Sequence, residues 1–296
     1  SKDHQNDDLL GSTASAESFQ KGYDLTLQDK FNSRATTNRI PAMLQPAESF
    51  PDTTAVETSD DIYVQRFSGR IGGWLLSVHT EATLRMLASY PGATILDLSG
   101  GHSPITETLI HHHYDVTIAS RSPDHPPRLK RLIERDVCKF EVVDFLDLPY
   151  MDKSFGIVIT YGLLPPVKQW QRLIAEIARV AEKCILVDYV IKPNISTLTP
   201  PFLKNKSKHA NNQPLSPEFS ETALLQEFAR LHFQYCERYP EFFLPEGLHR
   251  RLNAPQLSVS LENFCRRLGL TANFGSPVIL KLLRDPYARH GLGILP

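Results

Sequence analysis

The chain has 296 residues and a formal net charge of −1. Hydrophobic residues make up 41% and charged residues 22%, which allows a sizeable core and excludes full disorder. The balanced charge argues against a broad electrostatic footprint for nucleic acid or an anionic membrane, and no apolar run approaches the ~18 residues of a membrane span.

Residues 1–60 read as a polar, acidic tail, with ten acids against five bases and no sustained apolar period. Such a tail is expected to be disordered or loosely docked. Pro41, Pro46 and Pro51 would keep its one apolar patch, Ile40–Leu44, extended. It shows no apolar signal region, so the expected location is cytoplasmic. The four cysteines, Cys138, Cys184, Cys236 and Cys265, form no CxxC pair and are expected to be buried, reduced thiols.

Residues 61–296 read as one domain. Tyr63, Phe67, Ile71, Trp74, Leu75 and Val78 recur at helical spacing. Gly69, Gly72 and Gly73 predict a break into two pieces, and residues 80–90 a further helix, all within an N-terminal helical region, 61–92. Over 93–190 short apolar runs alternate with helices. Strands are predicted at Thr94–Leu98, Val116–Ala119, Lys139–Val143, Gly156–Thr160 and Cys184–Tyr189. Helices are predicted at Ile105–His112, Arg128–Arg135 and Gln171–Ala181. This is the pattern of βαβ units and a parallel sheet covered on both faces. Residues 191–296 form a substrate-side region. Its polar stretch 192–217 carries Lys204, Lys206 and Lys208 and reads as a solvated loop or a lid for an acidic substrate. Ser216-Pro217 offers a helix start, Phe233–Tyr239 and Pro277–Leu283 read as strands, and Leu248–Leu268 as mostly helical. The fold class is therefore α/β: a Rossmann-like, doubly wound, mostly parallel sheet of about seven strands.

The informative segment is Ile95-Leu96-Asp97-Leu98-Ser99-Gly100-Gly101-His102-Ser103. A strand ends in an acid, a small-residue turn follows, and a helix starts. Small residues let a ligand approach the backbone, and the helix N-terminus points amides at it. Downstream come Val142-Val143-Asp144-Phe145, then Phe155-Gly156-Ile157-Val158, Leu163-Leu164, Trp170 and Ile177-Ala178-Arg179-Val180. In this order the set resembles the class I S-adenosylmethionine-dependent methyltransferases, the broad group that includes quinone-biosynthesis C-methyltransferases. The resemblance covers roughly residues 93–190 and implies an antiparallel final strand pair and S-adenosylmethionine as cofactor.

Carried over residue by residue, the resemblance implies that Asp97 lies near the methionine amino group. Ser99, Gly100 and Gly101 fall on the glycine loop. Ser120 and Arg121 stand at the ribose, Asp144 and Phe145 at the adenine, and Tyr161 follows the fourth strand where the methyl is presented. The sequence departs from the family at four places. Its loop reads Ser-Gly-Gly-His-Ser rather than Gly-x-Gly-x-Gly, Ala119-Ser120-Arg121 offers no ribose carboxylate, Gly156 replaces an Asp, and the His frequent after the fourth strand is replaced near Pro165-Pro166. A left-handed backbone at Ser99 would cost ~1–2 kcal/mol.

The implied activity is in-line methyl transfer to a small, partly apolar acceptor, with Tyr161 and His249 as the candidates for handling its proton. Phe242, Phe243, Leu244 and Leu248 would line an apolar pocket or pack in the core. Two alternatives stay open. One is a methyltransferase-fold binding or scaffold protein without catalysis. The other is an NADP-dependent reductase, since Arg121 stands where such folds hold a 2′-phosphate. His111-His112-His113 reads as a solvated helix end, because adjacent helical residues diverge, and no metal site is expected. The partner expected is a small-molecule substrate; oligomeric state is not readable.

Overall fold

The computed structural model describes residues 65–164, 169–190 and 220–286. They belong to one compact unit, Ala47–Pro296. The expectations for residues 1–60, Pro165-Pro166, the lysines at 204, 206 and 208, and Ser216-Pro217 fall outside these residues.

The first described long helix, α1, runs from Gly69 to Leu87. The expected break is present before it: helical Gln65 and Arg66 are separated from α1 by Phe67 and Ser68, and Gly69 is left-handed at φ 72°. Gly72 and Gly73 make no further break, and residues 80–87 continue α1 rather than forming a separate helix. A glycine inside a helix costs only ~1 kcal/mol relative to Ala, and Ile71, Leu75, Ala82, Met86 and Leu87 on one buried face outweigh it. Gly72 has a packing reason: a Cβ there would lie 2.3 Å from the Phe67 carbonyl carbon. The remaining elements alternate as read. They are β1 (Thr94–Asp97), α2 (Ile105–His111), β2 (Asp115–Ser120), a 3-10 turn (Pro127–Leu129), α3 (Lys130–Glu134), β3 (Lys139–Val142), β4 (Phe155–Thr160), α4 (Trp170–Val180) and β5 (Ala181–Tyr189). Then come α5 (Glu221–Arg230), β6 (Phe233–Pro240), α6 (Glu246–Leu252), α7 (Pro255–Arg267), α8 (Leu270–Phe274) and β7 (Val278–Arg284). Ser220, in extended backbone, caps α5 by accepting from the Ala223 amide at 3.1 Å, so this helix opens there and not at the expected Ser216-Pro217.

The seven strands form one sheet in the order β3-β2-β1-β4-β5-β7-β6. Strands β1 to β5 are parallel, and β7 is antiparallel to both β5 and β6. Successive strand residues face opposite sides. Leu96, Val158, Ile185 and Val187 therefore pack on α4 and α5 through Leu173, Ile174, Ile177, Leu224 and Phe228. Ile95, Ile157, Ile159 and Leu186 pack on α1 and α2 through Met86, Leu87, Ile105 and Leu109. Each such side chain contributes roughly 1.5–3 kcal/mol on burial. The buried Lys281 donates to the Met86 carbonyl at 2.6 Å, which places a cation at the C-terminal end of α1.

Chain order reverses between β1 and β4. That puts the switch point at their carboxyl ends, where open α/β sheets form a ligand crevice. Of the cysteines, Cys138, Cys184 and Cys265 are buried free thiols as expected, but Cys236 is exposed. His112 and His113 lie exposed past the end of α2. Among the described residues, no helix is long and apolar enough to cross a membrane, and no group of three or more candidate ligands could hold a metal.

Candidate functional site

The buried Asp97 ends β1 and organises the loop after it. Its Oδ1 accepts from the Ser99 amide at 2.9 Å, and its Oδ2 accepts from Thr106 Oγ1 at 2.6 Å. Burial pushes its carboxyl above the usual range, against the pull of Thr106, Ser99 and Arg128. The left-handed positions of the loop are Gly100 (φ 64°) and Gly101 (φ 76°), not Ser99. The departure at position 99 therefore carries no backbone strain. A Cβ on Gly101 would lie 2.5 Å from Leu129 Cδ1, so glycine is required there for space as well as for conformation. The Ser99 and Ser103 hydroxyls are buried without a hydrogen-bond partner among the described residues.

Arg128 was not legible as a site residue. Its Nη2 donates to the carbonyls of Gly101 and of Ser103, the latter at 2.8 Å, and its Nε lies 3.2 Å from Glu107 Oε1. It clamps the turn from the adjoining 3-10 segment. Only a reading of how segment 121–129 folds back over the loop could have found it.

Ser120 ends β2, and its Oγ accepts from the Ser122 amide at 3.1 Å. The Arg121 guanidinium lies over the Phe145 ring, 5.6 Å from its centroid. Asp144 follows β3, and its Oδ1 accepts from the Leu146 amide at 2.9 Å, closing the turn. That turn is pinned from α4. Glu176 accepts from the Leu148 amide at 2.8 Å, and Arg179 donates to the Leu148 and Tyr150 carbonyls at 2.8 and 2.6 Å. Gly156 sits where the β4–β5 register shifts and donates to Thr94 Oγ1 at 2.8 Å.

After β4, Tyr161 and Gly162 turn away at the switch point, with Gly162 at φ 71°. The Gly162 amide donates to Asp188 Oδ1 at 2.6 Å. The buried Tyr161 hydroxyl pairs with Thr83 Oγ1 at 2.9 Å, and burial pushes its pKa well above the usual value. Its ring meets the His79 ring edge-on at 4.6 Å. His79 Nδ1 bonds Glu241 Oε1, and Arg66 Nη2 donates to Glu241 Oε2 at 2.9 Å. This buried cluster is the second feature that sequence reasoning missed. Its members come from the segment before α1, α1 itself, the turn after β4, β5 and the segment after β6, and no local spacing joins them.

The structure thus brings Asp97, Ser99, Gly100, Gly101 and Ser120 to one edge of the sheet, with Asp144, Phe145 and Arg121 beside them and Tyr161 across the switch point. His249 sits apart in a different set of contacts. Its Nε2 lies 3.0 Å from Glu262 Oε1, and its ring meets Trp74 edge-on at 5.0 Å. Glu262 also accepts from the Phe243 and Leu244 amides, so the pair fixes the entry to α6. Phe242 packs with Phe67, Ile71 and Leu75 in a small core, so it serves the second of the two roles open to it.

Residues 96–183 match a family model described as a methyltransferase domain. No curated protein matches the chain in sequence. Among solved structures, the chain is similar to the magnesium protoporphyrin IX methyltransferase of Synechocystis with bound S-adenosylhomocysteine. The identity is 12% over 79% of this chain and 96% of that one, with a TM-score of 0.51. It is also similar to a chain from the complex between a Haloferax volcanii methyltransferase activator and a methyltransferase. There the identity is 17% over 81% of this chain and 98% of that one, with a TM-score of 0.51. At these identities the likeness is one of fold. The sheet order and these likenesses together show that the chain carries the class I methyltransferase fold, and residues 96–183 are the segment that matches the methyltransferase-domain model.

Proposed function

We propose that the chain is an S-adenosylmethionine-dependent methyltransferase acting on a small, partly apolar acceptor. The observation that carries the reading is the Asp97-to-Ser103 turn at the switch point. Two left-handed glycines, two buried unpartnered hydroxyls and a buried carboxylate meet there. The residues fit the cofactor. An ammonium group beside Asp97 would offset the burial that holds its carboxyl high. Ser99 and Ser103 would gain hydrogen-bond partners.

Asp97 and the loop Ser99-Gly100-Gly101 would hold the methionine end. Asp144, which keeps its turn closed through one oxygen, would take the adenine amine with the other, beside Phe145. Ser120 and Arg121 would stand at the ribose, and the Ser120 hydroxyl can still donate while accepting from Ser122. When bound, the cofactor supplies a methyl group on a positively charged sulfur that is a good leaving group. The protein supplies orientation and a dry site. Tyr161 contributes there as a neutral hydroxyl, since its burial opposes a phenolate. His249, paired with Glu262 and packed on Trp74 and Phe242, has a structural part rather than the proton-handling one.

Arg121 favours the reductase reading only if it is directed to a phosphate; its position over Phe145 gives it a packing role instead. The non-catalytic reading shares the fold and differs in predicting no ligand at the turn. Hydrogen exchange with and without S-adenosylhomocysteine tests the proposal. Protection is expected across 97–103, 119–121 and 144–147. Protection confined elsewhere, or protection by NADP in its place, would overturn it.

A further inference from the structure

The carboxyl edge of the sheet holds a group of ionisable side chains that the cofactor site does not use. Asp188 lies near the end of β5, level with the residues that follow β4, since Val187 pairs with Thr160. It is buried and faces the switch point through its bond to the Gly162 amide. Its sheet neighbours Leu186, Val187 and Tyr189 are apolar and equally buried. His79 approaches from α1 and Arg66 from the segment before it, Glu241 from just after β6, and Tyr161 from just after β4. Fully buried ionisable clusters are costly, and apolar side chains of similar volume often stabilise as well or better. Their occurrence in a ligand crevice is a physical reason to look for function.

Two carboxylates, Glu241 and Asp188, share the cluster with the guanidinium of Arg66 and the imidazole of His79. A latch for α1 would need only the Arg66–Glu241 pair; Asp188 is turned instead to the amide of the methyl-presenting turn.

We propose that Asp188, backed by His79, Glu241 and Arg66, receives the proton of a protic methyl acceptor, a weakly acidic O–H group. The proposal rests on the methyltransferase reading above. In the step, an oxygen lone pair of the acceptor forms the new O–CH3 bond as the methyl-to-sulfur bond of the sulfonium donor breaks. The broken bond's electron pair stays on sulfur, which becomes a neutral thioether, and the O–H proton passes to the Asp188 carboxylate. Burial pushes Asp188 up to about 6, against the pull of His79, the Gly162 amide and Arg66. Glu241 is also raised by burial, but His79 and Arg66 outweigh this and hold it below the usual range. Asp188 is thus the member of the pair with the base strength suited to neutral pH.

The test uses the full chain saturated with S-adenosylhomocysteine and, as probe, 4-nitrophenol, whose anion is yellow and whose acid is colourless. Asp188, at about 6, is a stronger acid than the probe, so the bound proton stays largely on the phenol in a hydrogen bond to the carboxylate, and the acid band should move to longer wavelength, toward that of the anion. Asp188→Asn keeps an acceptor for the Gly162 amide. It should retain S-adenosylhomocysteine affinity, abolish that shift and weaken probe binding about tenfold or more, as loss of a charged hydrogen-bond acceptor does. His79→Gln should reduce the shift as well, and guards against a misfolded Asn variant. A probe bound with an unshifted acid band, a probe that does not bind to the loaded protein, or a shift that persists in both variants would overturn the proposal. Failure of S-adenosylhomocysteine itself to bind would instead overturn the reading on which it rests.

Discussion

Gly101→Ala separates a turn that is built to a shape from one that is merely flexible. Residue 101 sits at φ 76°, where a side chain costs ~1–2 kcal/mol. The new Cβ would also lie 2.5 Å from Leu129 Cδ1 and 3.4 Å from Ile118 Cγ2, and both residues are fully buried. Overpacking of that kind costs a further ~1–3 kcal/mol. The sum is about 2–5 kcal/mol, a large part of a typical stability of ~5–15 kcal/mol. At roughly 2–4 °C per kcal/mol for a domain of this size, the melting temperature should fall by roughly 5–20 °C. Gly69→Ala is the control: its φ is 72°, but no atom lies within 4 Å of the added Cβ, so only the conformational cost of ~1–2 kcal/mol applies. Ser99→Gly should give no gain, since Ser99 is not left-handed; added chain entropy should cost about 0.5–1 kcal/mol. Thermal denaturation of the three variants decides the matter. A Gly101→Ala protein that melts with or above Gly69→Ala would show that the loop yields and that its contacts do not define the site.

Asp144→Asn keeps an oxygen for the Leu146 amide while removing the charge. S-adenosylhomocysteine affinity should fall by ~1.5–3 kcal/mol in calorimetry with little change in melting temperature. Ser120→Asp should tighten the same ligand by ~1–2 kcal/mol, because a charged acceptor grips ribose hydroxyls more strongly than a neutral one; loss of binding in a folded variant would speak for a different ligand. Asp188 also predicts a pH effect. Its folded pKa of about 6 exceeds the ordinary 3.8, so the folded protein binds more protons than the unfolded chain between those values. Its contribution to stability therefore falls as pH rises from about 4 to about 6, by on the order of 3 kcal/mol. Asp188→Asn lacks that loss, so its melting temperature relative to the parent should climb across the same window. A constant difference would show that Asp188 ionises normally.

The strands and their order of appearance were legible because buried parallel strands leave short apolar runs that alternate with helical periods. Ile95-Leu96, Ile157-Val158 and Ile185-Leu186 announce a sheet covered on both sides. Helix α1 was misread because Gly72 and Gly73 are weak helix formers, and propensity yields to a packed face. Position 99 looked strained in the sequence because a family pattern places glycine there, whereas the backbone puts its left-handed turns one and two residues later. Asp97 and Asp144 were legible as strand-end acids. Arg128 was not, because its partners are loop carbonyls rather than side chains with a spacing. The His79–Glu241 contact spans 162 residues of chain, and nothing local in the sequence marks it.

Calorimetric titration of the full chain with S-adenosylhomocysteine tests the central claim most directly. The account predicts one site per chain with a Kd on the order of 1–100 μM, a binding free energy of about −5 to −8 kcal/mol. Asp97→Asn should lose the heat while remaining folded. A wild-type protein that gives no heat and no gain in melting temperature at about millimolar ligand would contradict the account. The turn after β1 would then be a structural closure of the sheet, and the chain a methyltransferase fold without the methyltransferase's cofactor.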